Sequence, residues 1–376
     1  MQMQTIQQAV EAGQPTFLAR LRQLVEVESP SDNKAAVDRA NDLVASWVPA
    51  LGGTIKRHKQ KAFGDVLELR FGPTRSKRPR VLLLGHLDTV WPLGTLAHMP
   101  WREAAGKIHG PGVLDMKVGV MMALEAIRIL NEHDATRPVT LLLNSDEEVG
   151  STVSRPITEK LAQTAAAVFV LEPAQGLAYK TARKGVGHFH LRVTGIGAHA
   201  GVDFTSGHSA ILEMARLTQT ISTFTDLAKG RTVNVGVING GTRSNVIASE
   251  CIAEVDVRIA KSSDAATITR LMHSLRVSDK ACKLEITGGI NRPPMERKPG
   301  TVALYKQARK LAAELGLHLE EAATGGGSDG NFTAPFAPTL DGMGAVGAGA
   351  HASHEHIERA HLTQRTALLT AMLATV

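Results

Sequence analysis

Cysteine is nearly missing from this chain of 376 residues, with Cys251 and Cys282 as its two examples. They stand far apart and lack Cys-x-x-Cys spacing, which removes a disulfide scaffold and a thiolate metal site from consideration. Aromatic residues are scarce at 4%, too few to build a base-stacking platform. Lysine and arginine outnumber the acids by 42 to 36, a net charge of +6, but they are dispersed and form no stripe. Nucleic acid is therefore not an expected partner, and the positive surplus suits small anionic substrates instead. The local basic tract from Arg75 to Arg80 reads as a solvated loop. No apolar run reaches the length of a membrane-spanning helix, so no membrane association is expected. Internal repeats and low-complexity tracts are also missing. Residues Met1 to Gln8 lack the charged-then-apolar pattern of a secretory leader. That points to the cytoplasm, although a periplasmic protein with its leader removed would read the same way.

What the chain does have is a large apolar fraction, 43%, enough for a sizeable core. Its length favours two domains. The run Val81-Leu82-Leu83-Leu84 predicts a short strand buried on both faces. It delivers Gly85-His86-Leu87-Asp88, and side chains at i and i+2 of an extended segment share one face. A metal-bound imidazole usually gives its second nitrogen to a carboxylate or carbonyl, so His86 and Asp88 read as a ligand and its partner. Val139 to Leu143 predicts a second buried strand, followed by Asn144-Ser145-Asp146-Glu147-Glu148. A third, Ala167 to Leu171, runs into Glu172-Pro173. Between the first two lies the turn Gly110-Pro111-Gly112-Val113-Leu114-Asp115-Met116-Lys117, ahead of a helical pattern from Val118 to Leu130. Ligand sites in open α/β sheets lie at the carboxyl ends of strands.

Taken singly, each position has a plainer reading. His86 and Asp88 suit a surface turn, Asp115 suits a helix N-cap, the two glutamates suit a solvated turn, and Glu172 suits a strand end. One metal site accounts for all of them together. Imidazole and carboxylate donors suit Zn²⁺, with Co²⁺ or Mn²⁺ as possible substitutes.

These residues resemble the co-catalytic zinc amidohydrolases: acetylornithine deacetylase, succinyl-diaminopimelate desuccinylase, aminoacylase and carboxypeptidase G. The resemblance runs in order from about residue 80 to 356 through His86-x-Asp88, Gly-Pro-Gly-x-x-Asp115-x-Lys, Glu147-Glu148, Glu172-Pro173 and a late histidine. His-Leu-Asp-Thr-Val and Thr324-Gly325-Gly326-Gly327-Ser328-Asp329 resemble the branch of glutamate-releasing carboxypeptidases. The resemblance implies two Zn²⁺ ions, His86 and Glu172 on one, Glu148 on the other, and Asp115 bridging. The last ligand would be a histidine four positions before a glutamate. Gly349-Ala350-His351-Ala352-Ser353-His354-Glu355-His356 selects His351, with His354 as runner-up. Glu147 would be the general base, Asp88 would orient His86, and the Asp115–Met116 peptide would be cis.

From about Gly185 to Ile290 the pattern changes to alternating strands with two helical stretches, Ser209 to Phe224 and Asp264 to Val277. That β-α-β-β-α-β order predicts a ferredoxin-like α+β insert. The expected fold is α/β: a zinc-exopeptidase-type catalytic domain with a mixed central sheet flanked by helices, residues 1–183 and 292–376. The insert, residues 184–291, would serve as lid and dimerisation domain, and the resemblance implies a homodimer. Within it, Gly195-Ile196-Gly197-Ala198-His199-Ala200-Gly201 lets partners approach His199 closely. The resemblance makes His199 an oxyanion donor and Asn245 a substrate contact. Arg258 is a candidate clamp for a free carboxylate, which a guanidinium grips bidentately, and Arg292 competes for that role. Thr324, Ser328 and the glycines up to Gly327 offer further substrate contacts. The expected reaction is amide hydrolysis of a small peptide or N-acyl amino acid with a free carboxylate, releasing a C-terminal residue such as glutamate. An N-acyl-amino-acid deacylase is the alternative, and an inactive metal-binding protein a more distant one.

Overall fold

The computed structural model describes residues 1–376, which divide into two compact units. The first comprises Met1–Ala182, Arg297–Ala323 and Ser328–Val376; the second comprises Arg183–Glu296 and Thr324–Gly327.

In the first unit, the predicted apolar runs form the middle of a six-stranded sheet. Its order is Thr54–His58, Val66–Phe71, Val139–Asn144, Val81–His86, Ala167–Val170 and Thr339–Leu340. The last four strands run parallel and Val66–Phe71 is antiparallel to both its neighbours, so the sheet is mixed. Alternation along each strand feeds two cores. Val81, Leu83, Leu141, Leu143 and Phe169 face one core, whereas Leu82, Leu84, Leu142, Val168 and Val170 face the other. Each such side chain contributes roughly 1.5–3 kcal/mol on burial, which is why these strands carry no polar alternation.

The larger core is closed by Met3–Glu26, Val118–Glu132 and Arg359–Thr375, three helices that pack on one another. The helix Arg155–Ala162 sits over the smaller one. Nearly every residue from Val118 to Leu130 is buried. Gly119 shows how tightly that helix approaches the sheet, because a Cβ there would lie 2.2 Å from the carbonyl oxygen of Leu171. A small antiparallel sheet pairs His356–Glu358 with Lys107–His109, setting His356 opposite His109. It holds the late histidine-rich turn beside the loop that carries Asp115.

The second unit has its own core. Strands Gly185–Thr194, Thr232–Gly240, Glu250–Ile259 and Lys283–Arg292 alternate with helices Ala210–Ser222 and Ser263–His273 in β-α-β-β-α-β order. All pairings are antiparallel, with Thr232–Gly240 and Lys283–Arg292 at the edges. Phe189, Leu191 and Val193 point under the helices, while His188, His190 and Arg192 face outward. The Ser209 hydroxyl caps the first helix by accepting from Leu212 N at 3.2 Å. The glycine run Gly325–Gly327 groups with this unit, away from the chain segments that flank it. No helix of the structure is long and apolar enough to cross a membrane.

Candidate metal centre

The parallel register sets three strand ends level with one another. His86 closes its strand opposite Asn144, and Leu84 lies opposite Val170. Glu147 and Glu148 follow Asn144 in a single turn of 3₁₀ helix, and Glu172 comes two residues after Val170. All four side chains therefore gather at one edge of the sheet, where backbone pairing has ended. Asp115 arrives from the neighbouring loop, whose Gly112 adopts φ +69 and could not carry a Cβ without meeting Thr89 at 2.6 Å. The Asp115–Met116 peptide is cis, as the resemblance implied. Asp115 does not cap the following helix. Its backbone is non-helical, and Lys117 holds the N-cap position with no side-chain capping bond.

The arrangement is two imidazoles about one carboxylate. His86 Nε2 lies 3.3 Å from Asp115 Oδ1, and His351 Nε2 lies 3.3 Å from Asp115 Oδ2. Glu172 Oε1 stands 3.7 Å from His86 Nε2, and Glu148 Oε2 stands 3.1 Å from His351 Nε2. Glu147 joins His86 and Glu172 in a group whose ligand atoms lie within 4.8 Å of one another; His86, Asp115 and Glu148 form a second such group. His351 thus reaches the cluster with its backbone at φ 62, a left-handed conformation that costs a non-glycine residue energy and is found mainly at functional sites. His354 is exposed, with its ring against Gly349.

The donor set fits a divalent metal centre. His86 Nε2, Asp115 Oδ1 and Glu148 Oε1 are buried and have no hydrogen-bond partner, a costly state for polar atoms unless an ion satisfies them. Three carboxylates and two neutral imidazoles supply the hard and borderline donors that zinc accepts. Without an ion the side chains balance one another's charge. Hydrogen bonds to Asp115 and Glu148 push the His351 imidazole up to about 10. Burial opposes protonation of His86, yet the surrounding carboxylates of Asp115, Asp88 and Glu172 raise it well above the ordinary imidazole range. Burial also works against the Asp115 carboxylate, and the two imidazoles overcome it, holding that group far below the usual carboxylate range. Burial raises Glu148 despite its bond to His351.

The supporting contacts differ from the expectation in one respect. His86 Nδ1 meets the backbone carbonyl of Asp88 at 2.9 Å, with the Asp88 carboxylate farther off at 3.5 Å. That carboxylate instead accepts from Ser31 Oγ at 2.7 Å and Glu148 N at 3.2 Å. Asp88 therefore fixes His86 mainly through its main chain and the Glu148 turn through its side chain. Two further acids appeared in the sequence motifs without being given a role. Glu355, fully buried, accepts from four N–H groups around the Asp115 loop. Asp329 accepts from Asn144 Nδ2 at 2.6 Å and from the Ser151 hydroxyl, bracketing the Glu147–Glu148 turn on both sides. Neither lies in a pattern that spacing alone reveals, although the four-residue interval from His351 to Glu355 was visible.

The remaining expected residues lie in the second unit, where two groups form. His199 and Asn245 are neighbours: Ala200 N donates to Asn245 O at 2.9 Å, and His199 bridges Val246. Gly201 N donates to His199 Nδ1 at 3.2 Å, which leaves Nε2 as the ring's donor atom. Around the glycine run, Arg258 Nη1 donates to Gly325 O at 3.3 Å, while its other nitrogens grip Asp256 at 2.8–3.2 Å. Arg292 packs its Cδ 3.0 Å from where a Cβ on Gly327 would stand. Arg183, not singled out by the sequence, donates to the Gly326 and Gly327 carbonyls. Thr324 Oγ1 accepts from Gly326 N at 3.4 Å. Ser328 belongs to the first unit; it is fully buried and donates to Asp341 Oδ2 at 2.6 Å, so it serves the fold and is not a substrate contact.

Comparison with known proteins adds to this geometry. The model of peptidase family M20/M25/M40 matches residues 82–375. Carboxypeptidase G2 from Pseudomonas sp. (strain RS-16) is 28% identical over 372 residues, covering 95% of this chain and 88% of that protein. Acetylornithine deacetylase from Proteus mirabilis is 29% identical over 285 residues, covering 71% of this chain and 73% of the other. Among solved structures, aminopeptidase PepT from Bacillus cereus superposes with a TM-score of 0.81 at 20% identity, covering 95% of this chain and 97% of that one.

Proposed function

The chain belongs to peptidase family M20/M25/M40, making it a metallopeptidase or amidohydrolase by kind, and on that premise we propose a di-zinc carboxypeptidase. Its substrate would be a small peptide or N-acyl amino acid with a free carboxylate, and glutamate is the favoured released residue. The observation that carries the reading is Asp115, which presents one oxygen to each of two imidazoles, 3.3 Å away in both cases. His86, Glu172, Asp115, Glu148 and His351 would hold the ions. When bound, the ions would supply a water of lowered pKa and polarise the scissile carbonyl.

The protein's own groups do the rest. Glu147 takes a proton from the attacking water and delivers it to the departing nitrogen, a role worth about 10²–10⁴-fold in rate. Its place in the ligand turn, next to Glu148 and grouped with His86 and Glu172, supports that role. Asp88 holds His86 and the Glu148 turn in register. His199 is assigned the oxyanion contact through its Nε2 proton, with Asn245 beside it. The lid role of residues 184–291 and a homodimer through them belong to the same proposal. Arg258, Arg292, Thr324 and Gly327 are assigned to the substrate carboxylate and backbone.

An N-acyl-amino-acid deacylase is the second reading, favoured by the similarity to acetylornithine deacetylase. The two differ in what lies beyond the scissile bond. Hydrolysis of peptidyl- and N-acyl-glutamates, with neutral and basic residues as controls, separates them. Glu147→Ala is expected to lower kcat by at least the magnitude given above while metal content stays at the wild-type level. Wild-type turnover in that variant would remove Glu147 as the base.

A further inference from the structure

We propose that Glu355 is a positioning residue for the metal centre: its buried carboxylate clamps the Asp115 loop and Trp91 to the turn that carries His351. The inference rests on the metal-site reading above and extends it to a residue that would touch neither ion nor substrate. One oxygen, Oε1, accepts from Leu114 N at 2.8 Å and Asp115 N at 3.1 Å. The other, Oε2, accepts from Gly112 N and from Trp91 Nε1, each at 2.9 Å. Two donors per oxygen engage every lone-pair site of an ionised carboxylate in a setting with no exposure to water. Three of the four donors belong to residues 112–115, so the backbone that aims Asp115 hangs from this one side chain.

The same glutamate sits four residues beyond His351, in a turn closed by Ala352 N to Gly349 O at 2.8 Å and Glu355 N to Ala352 O at 2.9 Å. The bridging carboxylate and the late imidazole are thereby fixed to each other from behind. Lys117, also buried, feels the charge of Glu355 and anchors its own Nζ on Val27 O at 2.8 Å. A glutamine has the same shape but offers one acceptor oxygen. Its NH₂ group would face two N–H donors, so at least one corner of the clamp must open.

The test is metal affinity, measured on the folded, chelator-treated protein by competition with a chromophoric zinc indicator. Wild type, E355Q and E355D are compared, with thermal melts of the metal-free forms alongside. Loss of a group that orients a ligand typically costs 10–100-fold in metal affinity, and that loss is expected for E355Q. E355D, which keeps both acceptor oxygens, is expected to recover part of it. The indole N–H signals of the three tryptophans give an independent readout, since the Trp91 resonance alone should shift in E355Q. Equal zinc affinity in E355Q and wild type would overturn the proposal, even if the melting temperature fell. Should E355Q not fold, affinity in E355D equal to wild type with an unmoved Trp91 signal would also overturn it. A wild-type protein that binds no zinc would instead defeat the metal-site reading on which this rests.

Discussion

His86 and His351 each lean on carboxylates that a cation would claim, and this has a consequence for protons. Without metal, both imidazoles are raised above their ordinary range, His351 to about 10, so His351 carries a proton at neutral pH and the carboxylates around His86 favour its protonated form. Metal ligation needs the neutral ring. Zinc loading at neutral pH is therefore expected to release protons, seen in calorimetry as a heat that depends on the buffer's ionisation enthalpy. A buffer-independent heat would contradict the imidazolium–carboxylate pairing. The sign for the metal-free protein follows from the same shifts. A raised imidazole stabilises the fold fully below its unfolded value, near 6.5, and that contribution disappears as pH rises through the folded value of about 10. The depressed Asp115 works in the opposite direction, contributing above the ordinary carboxylate range and failing only in strong acid. Melts of the chelated protein should accordingly fall between pH 7 and 10, and metal-loaded protein should not share that fall. At this scale the sequence was only partly legible. His86, Asp115, Glu148 and Glu172 stand at strand ends and turns where polar residues have no packing reason to be. The late histidine was ambiguous, with three candidates in six positions; in the structure it is the His351 ring that reaches Asp115 and Glu148. Glu355 and Asp329 were invisible as actors, because a lone acid in a loop has no period that marks what it will accept.

Among the elements, the helix Val118–Glu132 and the segment ending the strand Ala167–Val170 meet at Gly119. A methyl group there would press on Leu171 O at 2.2 Å, so the helix or the strand end must move. Overpacking of this kind costs about 1–3 kcal/mol. Gly119→Ala is expected to lower stability by that amount and to weaken zinc binding, since the displaced strand end leads into Glu172. Denaturant titration and indicator competition would check both parts, and wild-type behaviour in the two assays would refute the packing argument. These elements were the most readable part of the chain. Runs such as Val81–Leu84 and Val139–Leu143 carry no polar alternation because both faces of the sheet are covered, and that pattern survives without tertiary knowledge. The insert was equally readable, since one face of its sheet meets two helices and the other meets water. Alternation such as His188-Phe189-His190-Leu191-Arg192-Val193 reports that directly. The assignment of Gly325–Gly327 to the second unit was not readable, because only contacts distant in sequence decide it.

For the molecule as a whole, the proposed ligands all fall in the first unit, while the second holds an independent core around Phe189, Val255 and Met272. Metal at a thousandfold excess over its dissociation constant stabilises the unit that binds it by about 4.1 kcal/mol. Scanning calorimetry with and without chelator is expected to move the transition of the first unit and leave that of the second in place. A single transition that shifts entirely with metal would show that the two cores melt as one.

The two halves of the centre are unequally sheltered. The His86 side chain is 2% exposed, whereas that of His351 is 50% exposed. Ligand exchange follows access. An ion on the His351 side would come and go quickly, whereas its neighbour behind His86 would be replaced slowly. Under the two-ion proposal, the centre would hold one long-lived guest and one transient one.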